Sequence, residues 1–503
     1  MQNRKENFIE FVKTIKNKVH DWWLSYNRKL WTTRIFVYGF LLLLVIFVGA
    51  ILFANFNLFH TDVNSARYML SALVQSQAAI VAIVITLTLI AVQLTASAYS
   101  PRVVDIFKKD PDMWILLSCY GVSIFYGFIV LKLVEGAEGE FVSQSAIWSL
   151  GSVSISFEFF VSLAYWLGAF TFVALFPYMW NIISLLQPEN IINLLAKEIT
   201  KDKFLKEIRD ENPLQPIMDI IHSSIMKYDL ETTRIGLTEV TKRVIEIIDP
   251  DGEKRISERF CVNLWRVGKL AMEREDEDIT VEIIANLENF GKTTAEKGLE
   301  FASSQATEYL GTVGIAVKEG LEFAKSQAAS SLGKVGVSAV EKGFEDVARQ
   351  AASILESVVK VAAEKGLENV TSQAARSLGD IGIAATGKKF ENLIHQVAVY
   401  LREVGRTALG KGFEDATWQA GRSLKHIGIA AAEKGLESAA EQAAKSLAEL
   451  TILSEEIVKT AIHDYESRIE EKYHNSFQKF MRIYEQELEK LRAESQNKKT
   501  ESR

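Results

Sequence analysis

The sequence predicts an all-α chain: a four-helix transmembrane domain, then a cytoplasmic α-solenoid of 23-residue repeats, then a long C-terminal helix. Three observations predict it. Uncharged apolar stretches crowd into the first third of the 503 residues, a leucine recurs about every 23 residues through the second half, and a heavily charged amphipathic pattern ends the chain. Whole-chain figures of 48% hydrophobic and 24% charged residues average two dissimilar halves. Five segments follow: a basic amphipathic stretch (1–34), the membrane domain (35–186), a helical connector (187–257), the repeats (258–450), and the terminal helix with its tail (451–503).

Each apolar stretch is judged by length. Residues 35–56 carry no charge, and about 20 helical residues suffice to cross about 30 Å of hydrocarbon. Further spans are expected at 71–98, 113–131 and 153–176. The first apolar run begins too far into the chain, and is too long, for a cleavable signal.

Orientation follows from Lys and Arg, which stay on the cytoplasmic side. Eight precede the first span (Arg4, Lys5, Lys13, Lys16, Lys18, Arg28, Lys29, Arg34), and Arg102, Lys108 and Lys109 lie between the second and third. The first loop offers Arg67, and the loop after the third span sets Lys132 against Glu135, Glu138 and Glu140. Both termini are therefore expected in the cytoplasm, with the protein multi-pass in the cell membrane. Trp22, Trp23, Tyr26 and Trp31 before the first span, and Tyr178 and Trp180 after the fourth, suit aromatic belts at that interface. Phe8, Phe11, Val12, Ile15, Val19 and Trp22 recur at steps of three and four with lysines between them, as in a helix lying on anionic lipid or an ordinary packed helix.

The second span is the most polar. Thr86, Gln93 and Ser100 fall at heptad spacing, with Gln75, Gln77, Thr88 and Thr95 nearby. Such groups either hydrogen-bond between helices or line a solute path. Pro101 ends the span, and Arg102 is placed to reach helix-end carbonyls, lipid phosphate or an anion. Glu158 in the fourth apolar segment reads as an interfacial carboxylate, or as a functional group if it lies at bilayer depth.

The run SARYMLSALVQSQAAIVAIVITLTLIAVQLTASAYSPRVVDIFKKD, from Ser65 to Asp110, resembles a family of predicted membrane proteins, domain of unknown function 2254. Gln93, Leu94, Ser100, Pro101 and Arg102 carry the likeness, which extends over residues 35–245 and includes LQPIMDIIHSSI. It implies a membrane protein and no activity; the repeats are an addition to it.

Beyond Gln187 the apolar spacing is helical. EKGLE at Glu364–Glu368 recurs as EKGFE at Glu341–Glu345, GKGFE at Gly410–Glu414 and EKGLE at Glu433–Glu437. Leu264, Leu287, Leu310, Leu332, Leu355, Leu378, Leu401, Leu424 and Leu447 form a ladder with one step of 22 and the rest of 23. Glycines keep register at Gly268, Gly291, Gly314, Gly336, Gly382, Gly405 and Gly428. A single rod is excluded, because 23 residues overshoot whole helical turns by about 140° and the leucines would spiral round it. Lys-Gly-Leu reads as a helix C-terminus: cation, left-handed glycine, apolar fold-back. Leu-Gly-Asp-Ile-Gly reads as a second break, giving each copy one helix of about 12 residues and a shorter one. Neither buries its apolar face alone, so about eight copies are expected to stack, with protein binding or a spacer as the use. The terminal helix is expected to cap the last repeat or to pair with another chain.

Catalytic chemistry is not indicated. Gly291-Lys292-Thr293 resembles the end of a phosphate loop, but Asn286 occupies the first glycine position. The seven histidines are scattered and Cys119 and Cys261 lie far apart, so the sequence points to no metal, cofactor or disulfide. A net charge of −7 offers no basic domain for nucleic acid. The expected partners are the lipid bilayer and a cytoplasmic protein or a second copy. The function read from these features is a non-enzymatic membrane-anchored scaffold. The alternative is an ion or solute channel lined by the second span, with the solenoid as its regulatory domain.

Overall fold

A computed structural model describes residues 31–56, 63–98, 104–108, 110–136, 146–150, 153–205, 212–318, 320–466 and 474–501. The basic amphipathic stretch before residue 31 lies outside them. The chain forms two compact units that divide between Ile191 and Ile192.

In the first unit, α1 (Trp31–Phe56), α2 (Val63–Ala98), α4 (Pro111–Gly136) and α5 (Phe157–Leu185) are long, and α3 (Val104–Lys108) is a short helix between α2 and α4. The four long helices are long and apolar enough to cross a membrane. Large apolar side chains such as Phe36, Phe47, Phe125 and Phe176 point outward, the arrangement a lipid solvent favours. The expected fourth span is displaced: Val153–Ser156 is a strand, β2, paired antiparallel with β1 (Ala146–Leu150), and the helix starts only at Phe157. Alternating small and β-branched residues in VSIS suit a strand, so the described residues are not purely helical. At its far end α5 continues through Pro177 to Leu185. Membrane helices tolerate such a proline because neighbouring groups satisfy the backbone it disrupts.

The second unit is wholly helical in its described residues. Short helices α6 (Pro188–Glu198, which begins in the first unit), α7 (Lys201–Leu205) and α8 (Gln215–Met226) lead to α9 (Leu230–Ile247). Arg259 donates to the Phe204 carbonyl and Arg255 to that of Leu205, covering the last carbonyls of α7. Then come α10 (Glu253–Glu273), α11 (Glu277–Glu296), α12 (Glu300–Ala316), α13 (Glu322–Lys342), α14 (Glu345–Glu364), α15 (Glu368–Lys388), α16 (Glu391–Gly410), α17 (Glu414–Glu433) and α18 (Glu437–Leu453).

Each repeat is therefore one helix of 17 to 21 residues, and the expected second break does not occur. Leu-Gly-Asp-Ile-Gly lies in the middle of α15. Its glycines serve close packing: a methyl group on Gly379 would meet the Ser423 hydroxyl at 2.4 Å, and one on Gly382 would meet Ile427 at 2.4 Å. The roughly 1 kcal/mol that a glycine costs inside a helix is set against the approach of a neighbouring helix.

The other break is as expected. In the Lys-Gly-Leu turn after α14, the Leu367 N–H bonds the Ala362 carbonyl and the Gly366 N–H bonds that of Ala363, with Gly366 at φ +76°. The same pair of bonds closes α11, α13, α16 and α17 through Gly298, Gly343, Gly412 and Gly435. Tyr228, Glu275 and Lys389 take the left-handed position without being glycine.

Helices alternate between two layers. α9, α11, α13, α15 and α17 pack successively in one, and α10, α12, α14, α16 and α18 in the other. All nine ladder leucines are fully buried between them. The structural unit is thus a pair of copies, 46 residues, close to the size of common two-helix repeats. Leu299, Leu321, Leu367 and Phe413 occupy N-cap positions and have no side-chain acceptor. A glutamate from two helices earlier fills that lack in three cases. Glu253 accepts from the Ala302 N–H at 2.8 Å, Glu277 from Ala324 at 3.1 Å and Glu368 from Asp415 at 3.0 Å.

The C-terminal segment is two helices, α19 (Glu455–Glu466) and α20 (His474–Glu501), instead of the single helix expected. α19 extends the layer of α17, and α20 packs on α18 and α17. Phe480 lies over Gly428, and the Tyr484 hydroxyl lies 3.0 Å from that of Thr451. These contacts cap the last repeat.

Candidate functional site

Sequence reasoning singled out one face of the second span, and the structure turns a different face inward. Thr86 and Gln93 are exposed on the outer side of α2, and the Thr86 hydroxyl donates to the Ala82 carbonyl of its own helix at 2.8 Å. Gln77, Val84, Thr88, Ala91 and Thr95 face the other helices. Ser100, Pro101 and Arg102 lie outside the described residues. Glu158 is the second residue of α5; its side chain is outside the description.

The inward face carries a set of polar ties. Gln77 donates to the Ser123 hydroxyl of α4 at 2.8 Å and to the Thr171 hydroxyl of α5 at 3.1 Å, so one amide joins three spans. Further along α2, the Thr88 hydroxyl bonds both the Val84 carbonyl and the Tyr178 hydroxyl of α5. Hydroxyls and amides at membrane depth need such partners, because the hydrocarbon offers none.

A charged cluster lies beside them. Arg34 of α1 forms a buried ion pair with Asp112 in the first turn of α4. Asp110, two residues earlier, accepts from Asn181 of α5 at 2.8 Å and from the Asp112 N–H at 3.2 Å. Arg34, Asp110, Asp112 and Asn181 are all under 9% exposed. Buried charges persist when they are paired or hydrogen-bonded: Arg34 and Asp112 pair with each other, and Asp110 is held by the Asn181 amide and the Asp112 N–H. A carboxylate at the head of α4 also meets the positive end of that helix. The cluster fastens α1, α4 and α5 at one end of the bundle.

Sequence reasoning counted Arg34 only as a topogenic charge and passed over Asp110 and Asp112. Two acids flanking Pro111 at a span entrance were the available signal. For the inward face of α2 the signal was Gln77, Val84, Thr88, Ala91 and Thr95, spaced 7, 4, 3 and 4.

In the second unit, burial pushes the Cys261 thiol far above its ordinary range, which makes it an inert core residue. Gly291-Lys292-Thr293 is helical, within α11, and has no phosphate-loop geometry.

No curated protein matches the chain. Among solved structures, it resembles a circular tandem repeat protein with novel repeat topology and enhanced subunit contact surfaces, at 13% identity and TM-score 0.39, covering 76% of this chain and 99% of the other. It also resembles an engineered protein at 14% identity and TM-score 0.20, covering 60% of this chain and 95% of that one. Residues 27–227, which take in all four apolar helices and end ahead of the repeats, match the model of the predicted membrane protein family DUF2254.

Proposed function

We propose that this membrane protein is a non-enzymatic scaffold, in which the four apolar helices anchor the helical repeats at the cytoplasmic face and the repeats dock another protein. The observation that carries the reading is the continuity of the array. Nine helices share one leucine-filled core from α10 to α18, and its C-terminal end is covered by Val458, Ala461 and Ile462 of α19 and by Phe480 and Tyr484 of α20. Stacked arrays of this kind present long surfaces suited to protein partners. The basic residues before α1 and between α2 and α4 favour both termini in the cytoplasm.

Channel activity has less support. The polar groups that turn inward from α2, Gln77 and Thr88, are bonded to neighbouring spans, while Thr86 and Gln93 face away from the bundle. Crosslinking mass spectrometry in native membranes tests the scaffold. Expected are crosslinks from lysines of α13 to α17 to a protein partner, lost when residues 253–503 are deleted. Solute flux through proteoliposomes that changes in a Gln77→Leu variant would overturn it.

A further inference from the structure

Between α2, α3 and α4 the membrane unit holds a cavity of about 350 Å³, within the size range of small-molecule sites. Val84, Leu116 and Leu117 contribute to walls that are almost entirely carbon. At the buried end the hydroxyls of Thr88 and Tyr178 are bonded to each other. At the exposed end stand Lys108 and Trp114, whose indole N–H donates to the Lys108 carbonyl at 3.2 Å.

Water does not suit this space. An ordered water needs two to four polar partners; of the three hydroxyl-bearing side chains in the lining, Thr88 and Tyr178 hold one another, which leaves the Tyr120 hydroxyl as a single partner, too few to fix a water. A hydrocarbon chain suits it well, since an unfilled apolar void forfeits dispersion contacts on every wall. An acyl tail by itself has no reason to leave the bilayer for the cavity, because lipid is as apolar as leucine. Selection must therefore come from the group at the mouth. There the structure offers an ammonium on a flexible stem, a point charge matched to phosphate, beside a tryptophan of the kind that marks headgroup depth.

We propose that this cavity is a binding site for an anionic phospholipid, with one acyl chain between α2 and α4 and the phosphate on Lys108. Gln77, Thr88 and the Arg34 cluster keep the helices around it in register and need not touch the lipid.

The test uses the full chain in nanodiscs with phosphatidylglycerol or phosphatidylcholine carrying a photoactivatable group in one acyl tail, and mass spectrometry to place the label. Expected is labelling within residues 81–92 and 113–120, about fivefold stronger for phosphatidylglycerol, as one cation near a headgroup would give. Lys108→Gln should bring the two lipids level, and its phosphatidylcholine labelling shows that the bundle is intact. Leu117→Trp, which fills the cavity, should reduce labelling by both. Equal labelling of the two lipids by the unaltered protein, a preference that survives Lys108→Gln, or label confined to other segments would overturn the assignment.

Discussion

Gly379 of α15 and Ser423 of α17 lie 44 positions apart in sequence and so close in space that a β-carbon on the glycine would stand 2.8 Å from that of the serine. Gly333 and Ser377 repeat the relationship between α13 and α15, with 2.6 Å between the same atoms. A glycine that opposes a serine two helices away is what joins one layer of the array.

Gly379→Ala should therefore destabilise the array by about 2 kcal/mol, the usual cost of overpacking a tight contact. Gly387→Ala, in the same helix but facing open space, should stabilise by up to about 1 kcal/mol through the better helix former. Hydrogen exchange of peptides from α15 and α17 should accelerate in the first variant and slow in the second.

Lys389 holds φ +61° at the end of α15, where the turns after α11, α13, α14, α16 and α17 place glycine. Lys389→Gly should raise stability by about 1 kcal/mol, and Gly366→Ala, at φ +76°, should lower it by about as much. Thermal melts of the full chain in detergent would show both. Tyr228 is the exception among the left-handed residues, because its ring lies 4.4 Å from the Arg274 guanidinium, and losing that contact offsets the gain from glycine.

Lys425 is buried and donates to the Ala461 carbonyl at 2.6 Å and the Ile462 carbonyl at 3.4 Å, near the end of α19. It occupies the position after a ladder leucine that Gly333 and Gly379 hold in earlier repeats. Lys425→Met should keep the packing volume and lose the charged donor, at a cost of about 1.5 kcal/mol. Faster exchange in α19 while α11 stays unchanged is the expected pattern.

His426 is held near pKa 4, below its ordinary 6.5, by burial first and then by Lys425 and Arg422. A proton thus binds the folded state less well than the unfolded one. The stabilisation is complete above about pH 6.5 and is lost as pH falls from there towards 4, by an amount of order 2 kcal/mol. His426→Gln should flatten that dependence in exchange measurements on α17 and α20 between pH 7 and 4.

Removing one half of the Arg34–Asp112 pair deprives a buried charge of its opposite. Arg34→Ala or Asp112→Ala should each cost about 3 kcal/mol, and the double variant less than their sum. Thermal unfolding in detergent would measure all three.

What the sequence made legible was whatever depends on local chemistry. Span length, the Lys-Gly-Leu helix ends and the buried leucine rungs follow from properties of neighbouring residues, and they stand in the structure. The second break was misread because glycine has two uses, ending a helix or admitting another one. Gly379 shows which applies only when Ser423 is seen against it. For the membrane unit, heptad spacing drew attention to Thr86 and Gln93, whereas Gln77 and Thr88 are fixed by partners on α4 and α5 that no single-helix pattern reveals.

The alternation of layers sets a rule for how such a chain can change length. In the middle of the array, copies one apart are not equivalent: after the ladder leucine stand Gly333 and Gly379 in α13 and α15, Glu356 and Arg402 in α14 and α16. Deleting a single 23-residue copy would send Glu356 or Arg402 into a slot shaped for no side chain, and every helix downstream would change sides. Lineages carrying this array should gain and lose repeats in twos.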